Sequence, residues 1–168
     1  MKRSNRFFGF AIIAIILLLS CSKTDPSLVT ITGIITNPIG NEVGFDYPDT
    51  SYTATINENG KFEISFSLDS SNYLDFHQGL EVTAMYINPG DRIDLTIDIE
   101  QFDETIKYKN SEESSFLASK YLVNEKKDFY GEPFYLKEID EYLIYLDDYE
   151  KALLEELTKV SNKNFIEK

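Results

Sequence analysis

Few residues in this 168-residue chain carry chemistry, and their spacing says what each could do. Asp75 and His77 lie two apart, so on a strand they would share one face, the placement that a general base and its orienting carboxylate need. With one His and one Cys in the chain, the nucleophile for such a set would be a Ser such as Ser70 or Ser71. Those serines belong to Asp69-Ser70-Ser71-Asn72, where short polar side chains form turns, and a solvated pair on a sheet is the simpler account of Asp75 and His77. Asp94, Asp98 and Glu100 offer oxygen ligands of the type calcium takes. Alternation along one strand, however, lacks the tight loop that converges oxygens on an ion, and a solvated acidic face explains them more simply. Eleven tyrosines and no tryptophan would supply a stacking platform for a sugar or peptide, or cap a small core. The expectation is therefore no catalytic set, no metal site and no cofactor.

Charge and cysteine count narrow the classes further. Lys and Arg number 16 against 29 Asp and Glu, a formal net charge of -13, which repels nucleic-acid phosphates and anionic lipid headgroups. A single Cys beside a single His leaves no structural disulfide, no zinc site of the usual Cys/His kind and no redox dithiol. The N-terminus reads as an address. Lys2, Arg3 and Arg6 precede an apolar run from Phe7 to Leu19, which as a helix would cover about 20 Å against a ~30 Å hydrocarbon core. Too short to span, the run has the anatomy of a signal peptide. Leu18-Leu19-Ser20-Cys21 resembles the lipobox of bacterial lipoproteins, which implies cleavage between Ser20 and Cys21 and a diacylglyceryl thioether on Cys21. Cleavage would leave 13 Lys and Arg against 29 Asp and Glu, and no free thiol. Acyl chains contribute about 0.8 kcal/mol per buried CH₂, so more than one makes anchoring persistent. Residues 1–20 are expected as leader and 21–27 as lipidated Cys and polar tether.

The elements that follow change period. Leu28 to Thr36 is rich in β-branched residues and stops at Asn37-Pro38; Glu42 to Tyr47 and Ser51 to Ile56 are shorter candidates. Asn59-Gly60 marks a hairpin, after which Phe62, Ile64, Phe66 and Leu68 alternate with polar residues. Tyr73 to His77, Val82 to Ile87 and Ile93 to Glu100 follow, the last entered through Asn88-Pro89-Gly90-Asp91 with Pro and Gly at the centre of a type II turn. Turns every eight to twelve residues, with no helix between strands, predict a mainly β fold, an antiparallel sandwich of about eight strands over residues 28–109.

From Asn110 the period becomes helical. Asn110 and Glu113 have capping-box spacing, with Phe116, Leu117, Tyr121 and Leu122 on one face. Gly131-Glu132-Pro133 interrupts, and a second helix is expected close to Phe134 with the stripe Leu136, Ile139, Leu143, Leu146, Leu153, Leu157 and Val160, Glu150 holding one place in it. Residues 110–168 are thus a helical connector or hairpin whose seam needs a partner, and Leu143, Leu146, Leu153 and Leu157 are the candidates for docking or self-association; packing back on the chain's own body is the competing account.

Thr32-Gly33-Ile34-Ile35, Ala54 to Phe62 and Tyr86 to Ile93, in that order after a lipobox, are similar to a β-rich domain of unknown function. In Gram-negative lipoproteins that domain precedes a thioredoxin-like domain of the thiol–disulfide interchange (peroxiredoxin-like) family. The family's redox work is done by a Cys-x-x-Cys in the later domain, and this sequence has none, so no family catalytic residue carries over. Two readings follow from the resemblance. One is a free-standing, non-catalytic accessory module anchored to the cell envelope, at the periplasmic face of the outer membrane or exposed at the surface. The other is the front part of a thiol–disulfide oxidoreductase lipoprotein. A glycan- or peptide-binding surface lipoprotein is the third. The expected partners are a membrane, through lipid on Cys21, and a protein along the helices, with no nucleic acid.

Overall fold

Residues 25–128, 131 and 136–167 are described by the computed structural model. Strands form where the two-residue period is clearest: in the strand Arg92–Asp98, Ile93, Leu95 and Ile97 are buried while Arg92, Asp94 and Thr96 face solvent. In chain order the strands are β1 (Leu28–Thr36), β2 (Glu42–Tyr47), β3 (Thr50–Thr55), β4 (Lys61–Ser67), β5 (Asn72–Gln78), β6 (Glu81–Ile87), β7 (Arg92–Asp98) and β8 (Lys107–Lys109). Between β7 and β8 lie a 3-10 turn (Ile99–Gln101) and α1 (Phe102–Thr105), and α2 (Glu112–Lys126), α3 (Ile139–Leu157) and α4 (Lys163–Ile166) follow. The molecule is mostly β, with helices at the C-terminal side.

Two four-stranded sheets form, ordered β4-β1-β7-β8 and β3-β2-β5-β6. All pairs are antiparallel except one. β1 and β7 run parallel, from Thr30 opposite Arg92 to Thr36 opposite Asp98, which corrects the all-antiparallel expectation. The chain leaves β1, forms β2 and β3 of the second sheet, returns to the first as β4 beside β1, completes the second with β5 and β6, and re-enters on the other side of β1 as β7; the Asp91 carbonyl accepts from the Thr30 amide at 2.9 Å to start the ladder. Such a crossover is invisible to local turn chemistry because it is made of five intervening strands rather than a helix.

One core cluster draws on both sheets. Phe45 of β2 lies 5.9 Å from Phe62 of β4 and 5.4 Å from Phe76 of β5. A Cβ at Gly33 would sit 2.2 Å from the Phe62 ring, so glycine is what lets that ring lie on β1. Buried apolar area at roughly 25 cal/mol per Å² is what holds such a cluster together. A turn does form at Asn59-Gly60, with Gly60 at φ +73° and its carbonyl accepting from the Ile35 amide at 2.8 Å, but the expected hairpin does not: β3 pairs with β2 and β4 with β1, so the turn carries the chain from one sheet to the other.

The helical part departs from expectation at its start. Ser111, not Asn110, caps α2, its hydroxyl accepting from the Ser114 amide at 3.2 Å. Asn110 takes φ +65°, a left-handed conformation that Asn tolerates, and donates to the Arg92 carbonyl. Glu113 is buried instead of reaching back to a cap. α3 begins at Ile139; the expected start near Phe134 falls outside the described residues.

Candidate functional site

The residues picked for chemistry are placed apart from one another. Asp75 and His77 do share the outer face of β5, but His77 Nε2 faces Asp46 Oδ2 of β2 at 3.4 Å, and Asp75 stands opposite Asp46 in the ladder. Gly44 makes room: a Cβ there would lie 1.9 Å from His77 Nε2, so the imidazole lies over the β2 backbone. Ser51 donates to the other oxygen of Asp46 at 2.6 Å. The carboxylate therefore sits between hydroxyl and imidazole, an order that cannot pass the serine proton to histidine. Ser71 donates to the Asn88 side chain at 2.7 Å, away from His77's partner.

Two acids of the alternating set, Asp94 and Asp98, have structural tasks of their own. Asp94 accepts from Thr32 at 2.7 Å; Asp98 accepts from Asn37 at 2.9 Å and caps the 3-10 turn through the Glu100 amide at 3.1 Å. Among the described residues no group of three His, Cys, Asp or Glu side chains is arranged to hold a metal ion. Thr32, Ile34, Lys61, Glu63, Asp94 and Thr96 line a shallow depression of about 570 Å³ on the outer face of the first sheet, with Phe62 and Leu95 adding to its apolar part. The described tyrosines serve mostly as packing. Tyr52 stacks on Phe66 at 4.3 Å, Tyr86 and Tyr108 are buried, and Tyr73 and Tyr121 are exposed but on different elements. Burial pushes the Tyr108 hydroxyl far above its ordinary pKa, and Thr83 is the polar side chain beside it.

The feature that stands out is how the C-terminal segment is attached and what it leaves uncovered. Ser114 of α2 is fully buried against β6, an edge strand, where its hydroxyl accepts from the Tyr86 amide and donates to the Tyr86 carbonyl, both at 3.1 Å. α2 thereby closes the edge of the second sheet. Glu112 accepts from the amide and hydroxyl of Ser161 at 2.8 and 2.7 Å, bonds that hold its carboxyl below the usual glutamate range. Glu113 accepts from Asn162, the cap of α4, and from Asn88. Nearby Asp91 is raised, first by burial, against bonds from Asn88 that lower it. These contacts seat Phe165 edge-on to Tyr86 at 5.0 Å, with Val160 buried beside them. Ser114 and Phe165 are the residues missed in sequence, and the capping-box spacing gives Glu113 a capping role in place of this one, since nothing local marks a buried Glu or Ser as a clamp.

α3 packs on α2 through its tyrosines: Tyr149 donates to Asn124 Oδ1 at 2.7 Å and Tyr145 to the Lys127 carbonyl at 2.6 Å. The candidate docking leucines divide. Leu157 packs against the Tyr86–Val160–Phe165 cluster, Leu146 and Leu153 are half-buried, and Leu143 is 56% exposed. Ile139 at 67% and Leu154 at 51% extend the uncovered row, and no residue of α3 is fully buried. Ser20 and Cys21 lie outside the described residues. Among those that are described, no helix is long and apolar enough to cross a membrane.

No protein-family model matches the chain, and no curated protein matches it. A solved structure, the Bacillus anthracis TIE protein, is similar to it at 9% identity and a TM-score of 0.33, over 43% of this chain and 16% of that one. The matched region is thus a small part of that protein.

Proposed function

We propose that the chain is a lipid-anchored accessory module of the cell envelope, without catalysis of its own, that works by docking a partner along its C-terminal helices. In this reading the two sheets form a β-sandwich that serves as a rigid spacer, α2 and α3 form a helical hairpin on it, and Cys21 carries the lipid. The observation that supports docking is α3 itself. Nineteen residues long, it has no fully buried side chain yet leaves Ile139, Leu143 and Leu154 uncovered, and burying a leucine stabilises by about 1.5–3 kcal/mol. The lipobox-like Leu18-Leu19-Ser20-Cys21 supports the anchor, and the acidity of the body agrees with attachment by lipid rather than by a basic membrane-binding surface.

The test is the fate of the full chain in a Gram-negative host. Mass spectrometry of the N-terminal peptide should show cleavage before Cys21 and a mass increase of acyl size on its sulfur. Cys21→Ala should shift the protein out of the membrane fraction. An intact leader on unmodified Cys21 would overturn the anchoring half of the reading.

A further inference from the structure

Resting on that reading of α3 as the docking element, we infer that its partner is a basic amphipathic helix rather than a second copy of this chain. At 100° per residue, Ile139, Leu143, Leu146, Leu153, Leu154 and Leu157 fall within an arc of about 100°. The tyrosine side of the arc is committed to α2 through Tyr145 and Tyr149. On its other side stand Asp140 and Asp147, and Glu150, exposed, lies in the middle of the arc itself. Across the helix there are seven acidic residues and one lysine, and that lysine, Lys151, is paired with Asp147 at 2.5 Å.

Width and charge together choose the occupant. An arc of this width is the footprint of one helix lying along another, with the i, i+3, i+4 anchors of helix-in-groove recognition. A second copy would bring its own Glu150 and Asp140 against these, and like charges held that close in a partly dried interface oppose association. Lysines or arginines flanking an apolar stripe on the incoming helix would instead meet Glu150 within the stripe and Asp140 along its margin.

The probe is a synthetic helix-forming peptide of about 18 residues, ~27 Å long, with leucines on one stripe and lysines flanking it. Two controls accompany it: a scrambled isomer of equal charge and a version with glutamates for lysines. Titrated into the full chain held in zwitterionic lipid nanodiscs, the lysine peptide should bind, and the two controls should not. Leu143→Ser and Leu154→Ser, both at exposed positions, should each weaken binding by about tenfold or more, as should Glu150→Lys, while Asp148→Lys on the far side leaves it unchanged. Binding should also weaken as ionic strength rises from about 0.01 to 0.1 M, shortening the screening length from ~30 to ~10 Å. Equal binding of the scrambled isomer, equal binding of the glutamate version, or no binding at all would overturn the inference. So would a concentration-dependent doubling of mass that Leu143→Ser abolishes, which would make the occupant a second copy. Membrane retention of the same samples reads the anchor separately, so a failed partner class and a failed anchoring are told apart.

Discussion

Replacing Ser114 by alanine should separate α2 from the sheet it closes, at a cost that the structure sets. The hydroxyl has one proton and two lone pairs, and all are used: it donates to the Tyr86 carbonyl and accepts from the Tyr86 amide and the Ser111 hydroxyl, the last at 2.9 Å. Ser114 is fully buried, so the Tyr86 amide and carbonyl have no water to turn to once the oxygen is gone. Each buried backbone group left unpaired costs about 1–3 kcal/mol, and two of them come to roughly 2–6. Alanine's better helix propensity returns about 0.5 kcal/mol, so a net loss of about 1.5–5.5 kcal/mol is expected. Urea unfolding should show a lower midpoint at unchanged slope, and amide exchange at Tyr86 should speed up. Ser65→Ala is the control, an exposed hydroxyl 3.0 Å from Thr30 Oγ1, and should stay within ~0.5 kcal/mol. A Ser114→Ala loss below ~0.5 kcal/mol with Tyr86 still protected would refute the clamp.

The glycines provide a contrast. Gly60→Ala should cost roughly 2–4 kcal/mol, because φ is +73° and the new Cβ would lie 2.3 Å from the Ile35 carbonyl oxygen, which cannot retreat without breaking β1. Gly44→Ala should cost under ~1.5 kcal/mol, since the atom in its way is the end of the His77 ring; NMR should report that imidazole leaving Asp46, and an unmoved ring would count against its placement. Acid should loosen the C-terminal segment. Glu112 is lowered from its ordinary value of 4.5 by its bonds from Ser161, so its contribution is complete above that value and is lost as pH falls through the depressed folded one. Asp91, raised by burial, works in the opposite sense and gains as pH falls through the same region. With the Asp91 share common to both proteins, protection of the Phe165 amide, taken relative to its intrinsic exchange rate at each pH, should fall more below pH ~4.5 in the parent than in Glu112→Gln. Glu112→Gln, which keeps an acceptor but cannot titrate, should flatten that dependence, and equal slopes in both proteins would exclude Glu112 as its source.

The local signals in the sequence map onto the fold closely where the physics is local. Alternating residues placed β4 and β7 within a residue or two, and Asn59-Gly60 and Pro89-Gly90 formed their turns because only backbones tolerant of positive φ close them. The helical stripe was legible in the same way, since period alone puts Leu143, Leu146, Leu153 and Leu157 on one side of α3. The cap of α2 was misjudged by one residue because Asn110 and Ser111 are both good caps, and which one bends left-handed was decided by the Arg92 carbonyl that Asn110 meets.

By itself, then, the sequence determined the faces of the strands, the positions of the turns, the acidity of the body and the lipobox-like stretch at Cys21. Tertiary structure alone decided the parallel pairing of β1 with β7, the partnership of His77 with Asp46 instead of Asp75, the burial of Ser114 and Phe165, and which leucines of α3 remain uncovered. The division has a physical reason. Periodicity and backbone preference act over a few residues and are written in neighbouring side chains, whereas a pairing or a clamp joins groups tens of residues apart, and only the packed chain sets which of them meet.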